Sequence, residues 1–527
     1  MRVTPGLRRH ARGSTGAGAV IVAVLALAVP AFAVPVSATT VRKVANGGSD
    51  TTDCQSSPCA TINYAIGQAS PGDTIDVAAG TYSTEVVDVS KRVRLEGAQS
   101  GVDARARTGA PGTESILNNA GGGFNLTVSG ASVDGFLVRD ATAVPLQAGI
   151  ALSGSASGYR VVNNIIRDNT VGISLNSDGV THSVLQHNAF VDNNKAGLHG
   201  GTAIYGNLAL GDVLIDANSF TGSTSGALIT SQKRANDVSF TNNTLTNDSS
   251  VTLYNTHGAS IQGNMIASSN AAAVYLGGGN ASVDIRGNTI SGGLAGNGVT
   301  VADDGTFPAA PNRGVTVAGN TITQKLNGIL VGPAATSDSV AARFNRIVGN
   351  ASSGASNDAA NSATPIDAKD NWWGCNGGPN TAGCQATAGA VTSAPYLVLG
   401  ARAERGRMLT GGDTNPIDAG IFADSAGAVD ASDFPDTSIA FSATLGTVPI
   451  MNTASNGLTR VLFTAGSQPG TGSVTATLDS SSATATFEVS SQAGPSGPTG
   501  VGGATGPSGP TGVGGATGPS GPTGVGG

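Results

Sequence analysis

Residues 213–220 read VLIDANSF, 238–245 VSFTNNTL, 283–290 VDIRGNTI and 315–322 VTVAGNTI. The shared unit is apolar, x, apolar, x, x, Asn, x, apolar, and 340–347 (VAARFNRI) repeats it with Ala in one slot. Looser copies carry Asn164, Asn188 and Asn264. Together with Asn218, Asn243, Asn288, Asn320 and Asn345 they recur at intervals of 21 to 32 residues. Between them runs a second pattern, a small residue followed by apolar-x-apolar, as in Gly172-Ile173-Ser174-Leu175, Gly298-Val299-Thr300-Val301 and Gly328-Ile329-Leu330-Val331. Two short alternating strands per unit cannot bury their apolar faces alone and must stack on the next unit. A carboxamide at a tight bend both donates and accepts, so identical amides on successive turns can bond along the column. The asparagines are therefore expected to form a ladder inside an all-β solenoid.

This pattern resembles that of the right-handed parallel β-helices of the pectin-lyase-like superfamily, over residues 41–397. The start of the region agrees. Residues 59–73, CATINYAIGQASPGD, place Ile62, Ala65, Ile66 and Ala69 on one helical face, and the strand Thr74–Val77 follows. Family members commonly begin with such a capping helix, which covers an open strand edge. Residues 371–379, NWWGCNGGP, look like the loop that often closes these rods, with Trp372 and Trp373 packed over the end. A period of about 25 residues implies roughly 12 turns and, at about 4.8 Å per turn, a rod of roughly 55–60 Å.

Beyond residue 400 the register is lost. Ile439–Gly446, Leu458–Gly466, Gly472–Leu478 and Thr484–Val489 alternate apolar and polar residues between Gly, Asn and Pro breaks. Such regular short strands suggest a small β-sandwich over 401–490. Its motifs resemble bacterial Ig-like domains of the invasin/intimin type, which implies a stalk or spacer. From Gly494 to the end every third residue is Gly, with 11 full triplets and Gly527 opening another. Glycine at every third position is what the crowded axis of a triple helix demands, so 494–527 reads as collagen-like and implies a homotrimer.

At the other end, Arg2, Arg8, Arg9 and Arg12 precede an apolar run from Ala17 to Val29, and Ala31-Phe32-Ala33 fits a signal-peptidase site. Residues 1–33 are read as a signal peptide, the run being shorter than the roughly 20 residues a bilayer needs. The expected location is secreted or cell-surface, with no membrane span after cleavage. In an oxidising exterior Cys54 and Cys59, and Cys375 and Cys384, are expected to pair locally, because the two pairs lie more than 300 residues apart. The chain is rich in glycine, 78 of 527 residues, only 12% charged and formally at -7. So few cations leave little with which to neutralise phosphates, and nucleic acid is not an expected partner.

Catalytic chemistry on the rod would need clustered outward side chains. Two residues before each ladder Asn the outward positions are Val162, Gln186, Asp216, Thr241, Gln262, Arg286, Ala318 and Arg343. On the second pattern they are Ser174, His199, Leu228, Thr252, Tyr275, Thr300 and Leu330. Neither column clusters carboxylates or bases. Glycoside hydrolysis uses two carboxyl groups about 5–9.5 Å apart. Asp303 and Asp304 are the close acidic pair of the repeat region, with Gly277 and Gly332 expected to leave a depression beside them. The pair faintly resembles the paired Asp of polygalacturonases, but that family's Gly-His-Gly and Arg-Ile-Lys are missing here. Asp212 and Asp216 are too isolated for a calcium cage, Arg286 and Arg343 read as solubilising, and the histidines lack carboxylate neighbours in register. No metal or cofactor is expected. Tyr254 and Tyr275 follow Asn243 and Asn264 at equal distance, so they are candidates for a saccharide platform.

The sequence thus reads as an exported modular surface protein whose rod binds extracellular polysaccharide or surface glycans. The alternative is a polysaccharide lyase or glycoside hydrolase with an unrecognised site. If the tail folds, the intact chain should run as a trimer in light scattering below the tail's melting temperature, and deletion of 494–527 should yield a monomer with an unchanged rod. A monomer at about 4 °C with the tail intact would show that these triplets are too few.

Overall fold

The computed structural model describes residues 39–491 apart from 145, 248–249, 268–271, 306–310, 336–337 and 359–363, with scattered residues between 502 and 518. The expected signal peptide lies outside the described residues, as does most of the collagen-like tract. The chain divides into Met1–Thr39 and Thr40–Gly527, and every described strand and helix belongs to the second unit.

From residue 41 to 392 the strands pair in parallel with partners one turn away in sequence, which makes a parallel β-helix. Each turn contributes to three faces. The first face carries the strand before the ladder Asn, such as Ser183–Gln186, Gly211–Asp216 and Ala281–Arg286. The second carries the strand after it, such as Ala189–Val191 and Ser219–Thr221. The third carries Val171–Ser174, Thr202–Gly206, Val251–His257, Val274–Gly278 and Val299–Val301. Inward residues of all three faces merge into one apolar column from Val44 to Trp373. Within it Phe190 and Phe220 stack at 4.7 Å and Phe240 continues the pile at 5.6 Å.

The eight asparagines form the expected ladder. Each Oδ1 accepts from the backbone N–H of the preceding Asn, and each Nδ2 donates to the Oδ1 of the next, from Asn164 through Asn188, Asn218, Asn243, Asn264, Asn288 and Asn320 to Asn345. The column runs one step further than the sequence reading, to Asn371, which accepts from Asn345. All nine are essentially without solvent exposure. A second amide column lies five residues on. Asn169 donates to Asn193, and near the far end Asn350 Oδ1 accepts from the Lys325 N–H while Asn350 N–H donates to Gln385. Lys325 fills an asparagine slot there, and burial lowers its ammonium to about 8.

The rod is closed at its start by the helix Ile62–Gln68, whose Thr61 cap accepts from the Tyr64 N–H and which buries Ile62, Ala65 and Ile66. Both local disulfides are present, with Cα separations of 5.1 Å for Cys54–Cys59 and 5.2 Å for Cys375–Cys384. Two outward positions of the first face are covered after all. Val162 and Ala318 are buried, with the Ala104 N–H donating to His187 O one turn from Val162 and Asp433 O lying against Gly319 beside Ala318. The two tryptophans do not cap together. Trp373 ends the rod core, whereas Trp372 belongs to the next core and donates from Nε1 to Asp479 at 2.7 Å.

That next core lies between two sheets. One holds Leu397–Ala403, Thr414–Asp424, Leu458–Ala465 and Gly446–Thr447, and the other holds Arg407–Leu409, Ser481–Ser490, Gly470–Leu478, Thr437–Thr444 and Met451–Ala454. Pairing is antiparallel except at Arg407–Leu409. Arg346 pairs with Asp479 and Arg286 with Asp433, so the sandwich is tied to the rod by ion pairs as well as by Trp372.

Asn288→Leu removes donors and acceptors from both neighbouring turns and should cost about 1–3 kcal/mol in chemical denaturation. Asn125→Leu, whose exposed amide donates to Asp88, should cost far less. Equal losses would show that stacking of the amides does not stabilise the rod.

Candidate functional site

The third face departs from regularity over four turns, and the departures gather aromatic and polar side chains. Its outward column reads Ser174, Tyr205, Leu228, Thr252, Tyr275, Thr300 and Leu330 by direct pairing. The sequence reading put His199 in the second place. That slot belongs to Tyr205, because Ala203-Ile204 and not Leu198 aligns with Gly172-Ile173. His199 instead sits in the preceding loop at φ 56° and stacks on Tyr205, ring centroids 3.9 Å apart. Burial lowers the His199 pKa, which favours the uncharged ring.

Two irregularities open the face. Strand Ser225–Thr241 loses register with its neighbour between Thr230 and Ala235, which places Gln232 and Lys233 on an outward bulge. One turn later Tyr254 shifts register and sits opposite Gly278. Its ring occupies the space over Gly277, where an added Cβ would meet Tyr254 Cε1 at 1.9 Å. Gly277 therefore seats the tyrosine and leaves no open hollow of its own. The result is a depression of about 370 Å³ lined by His199, Tyr205, Asn207, Leu228, Thr230, Gln232 and Tyr254.

At one end of it Tyr254 and Tyr275 approach to 6.3 Å between ring centroids. Both hydroxyls donate to the same oxygen, Oδ2 of Asp304, each at 2.8 Å. Charge-assisted hydrogen bonds of this kind favour the carboxylate form of the acid. Burial, followed by the hydrogen bond and charge of Asp304, pushes the Tyr275 phenol up to about 12. The Asp304 N–H donates to Gly277 O, tying the acid to the strand that seats Tyr254.

Asp303 faces a different way. Its Oδ1 accepts from the backbone N–H and the side-chain amide of Asn312. Asn312 in turn accepts from Asn280, and Asn280 accepts from the Thr256 N–H and hydroxyl, a third short ladder wholly buried in the rod. The two adjacent acids thus serve different partners: Asp303 terminates a structural column and Asp304 joins the tyrosines. In the sequence the acids and the tyrosines are separate candidates; the structure puts Asp304, Tyr254 and Tyr275 in one cluster. Tyr205, Asn207 and Gln232 were not anticipated. Tyr205 was discoverable from the alignment of Ala203-Ile204, but the bulge that presents Gln232 has no sequence signature.

Other expectations need correction. His182 does have a carboxylate in register, its Nδ1 lying 2.7 Å from Asp212, in an exposed pair one turn apart. Arg286 and Arg343 are not merely solubilising: Arg286 bonds Asp284 and Asp433, and Arg343 bonds Asp367 and Asp370. Asp216 accepts from Gln186, Thr241 and Asn242 across neighbouring turns.

Residues 66–252 match a family model described as periplasmic copper-binding protein (NosD). Comparison with curated proteins finds no match. Among solved structures, the A-module of mannuronan C-5 epimerase AlgE6 from Azotobacter vinelandii is similar at 14% identity, covering 62% of this chain and 91% of that one, with a TM-score of 0.36. Pectate lyase Pel9A is similar at 11% identity, over 61% of this chain and 76% of that one, with a TM-score of 0.32. The copper of the family description finds no fitting donor set among the described residues. No three His, Cys, Asp or Glu side chains converge, and the cysteines are all in disulfides. Met265 and Met451 are exposed on different domains, while Met408 is buried in the sandwich. Two disulfides fit an extracellular or periplasmic chain. Among the described residues no helix is long and apolar enough to cross a membrane.

The cluster is testable by titration. Difference absorbance between the wild type and Tyr275→Phe should show no phenolate from Tyr275 near the ordinary value of 10, and Asp304→Asn should bring its titration down. Ordinary titration of Tyr275 in the wild type would show that Asp304 does not hold it.

Proposed function

We propose that this chain is an exported surface protein whose rod binds extracellular polysaccharide or surface glycans on its third face, between His199 and Asp304. The observation that carries the reading is the pair of tyrosines sharing one carboxylate oxygen at the end of a depression floored by His199, Tyr205 and Leu228. Aromatic and aliphatic surface packs against the C–H faces of sugar rings, while Asn207, Thr230, Gln232 and Asp304 supply donors and acceptors to hydroxyls. The sandwich, with its resemblance to Ig-like stalk domains, serves as a spacer. A right-handed rod on a collagen-like trimer would present three such faces and multiply weak contacts.

Binding is favoured over cleavage by two features. Asp303 is turned into the amide column, so it does not pair with Asp304 as the two carboxyl groups of a glycosidase do. The Tyr275 phenol, held protonated up to about 12, is no base at neutral pH.

Screening the intact protein against a broad glycan panel should find saturable binding without products. Tyr275→Ala should weaken it roughly tenfold, a loss of about 1.4 kcal/mol, and Thr246→Ala on the second face should leave it unchanged. Release of reducing ends or unsaturated sugars, lost in Asp304→Asn, would instead establish the lyase or hydrolase reading.

A further inference from the structure

A second depression, of about 390 Å³, adjoins the first and is lined in part by Ser153, Ser155, Leu208 and Lys233. Gln232 lines both. Resting on the reading of a sugar-binding face, we propose that the two depressions are one oblique groove for a linear saccharide. The chain leaves the third face at Gln232 and continues over the following bend to Ser153, and about four rings are needed to fill the groove.

Consecutive residues divide between the two compartments. Asn207 lines the first and Leu208 the second, while Gln232 lines both and Lys233 the second. Backbone bonds hold these pairs side by side, with Gln232 N–H donating to Asn207 O at 3.0 Å and Lys233 N–H to Leu208 O at 3.2 Å. On the other side, Asn176 Oδ1 accepts from the Leu208 N–H at 3.0 Å. The strip common to both compartments is therefore fixed to the turns before and after it, and the bulge following Thr230 contributes to each.

The path is oblique because the compartments sit at different places on the turn. Tyr205 and Leu228 of the first are outward strand residues in register. Ser153 and Leu208 of the second follow the strands Ala148–Leu152 and Thr202–Gly206, at the bend. A chain kept on the strands would run straight on from Tyr205 to Ser174, its partner one turn back. One that occupies both depressions turns aside at Gln232. From Tyr254 back to Ser153 the lining covers four turn spacings, about 19 Å at roughly 4.8 Å per turn. A ring of an extended pyranose chain advances about as far as one turn, so shorter ligands reach only one compartment. The chemistry of the second suits a sugar ring as well. Leu208, 47% exposed, offers an apolar surface to ring C–H groups, and the Ser153 and Ser155 hydroxyls bond each other at 2.9 Å beside it. The stem of Lys233 adds apolar surface and its ammonium a donor.

The experiment measures affinities of the full chain for homologous oligosaccharides of about two to about eight rings (gluco-, manno-, xylo- and galacturono-series), at fixed salt with chelator present. In at least one series affinity should rise at least tenfold from the shortest bound ligand to about five rings and then level off. The double variant Leu208→Ala, Lys233→Ala should remove most of that rise and leave the shortest bound ligand unchanged. Leu228→Ala should weaken ligands of every length, and Ser174→Gln, on the straight path, should alter none. A rise that survives the double variant, one lost in Ser174→Gln, or affinity already level at the shortest ligand would overturn the oblique groove while leaving the sugar-binding face intact. Binding of no saccharide at all would overturn both.

Discussion

Everything on the surface of this rod depends on the buried amide column. A parallel stack of strands has few intrinsic reasons to keep its register, since slippage by one residue exchanges the inward and outward sets. The ladder removes that freedom at one bend of each turn. An asparagine at that bend bonds the amides of both neighbouring turns as well as a backbone carbonyl, as Asn288 does with Asn264 on one side, Asn320 on the other and Ile261 O. Because such a group is buried, leaving it unpaired is costly, and the column acts as a ruler from Asn164 to Asn371.

The same device shapes the candidate site. The short column from Thr256 through Asn280 and Asn312 ends on Asp303, held in the left-handed region at φ 54°. With that residue fixed, the next, Asp304, is delivered to the two tyrosines on the outer face. Gly277 completes the arrangement by admitting the Tyr254 ring where a side chain would stand. Ladder and groove are thus one structure: an interior hydrogen-bond chain sets the direction in which an exterior carboxylate points.

The far end of the rod obeys a different logic. Adjacent tryptophans divide between two hydrophobic cores, Trp373 in the rod and Trp372 in the sandwich, and Asp479 receives both the Trp372 indole N–H and Arg346. The backbone also joins the parts, with Ser480 N–H donating to Gly374 O. A junction built from a shared tryptophan pair, an ion pair and backbone bonds fixes the sandwich against the last turns more firmly than a linker would.

By itself the sequence determined the solenoid, the ladder and the helix that closes its start, because each is written in local periodicity: an asparagine every turn, alternation of apolar residues, and one helical face of Ile62, Ala65 and Ile66. It also made the local disulfides the cheapest pairing. Only the tertiary structure decided the site. Tyr254, Tyr275 and Asp304 belong to different turns, and their meeting depends on a register shift at Tyr254 and a bulge after Thr230 that leave no periodic trace. Likewise, nothing local separates Asp303 from Asp304. Their roles diverge because consecutive residues at a strand end point to opposite sides, one toward a buried amide and the other toward solvent and the tyrosines.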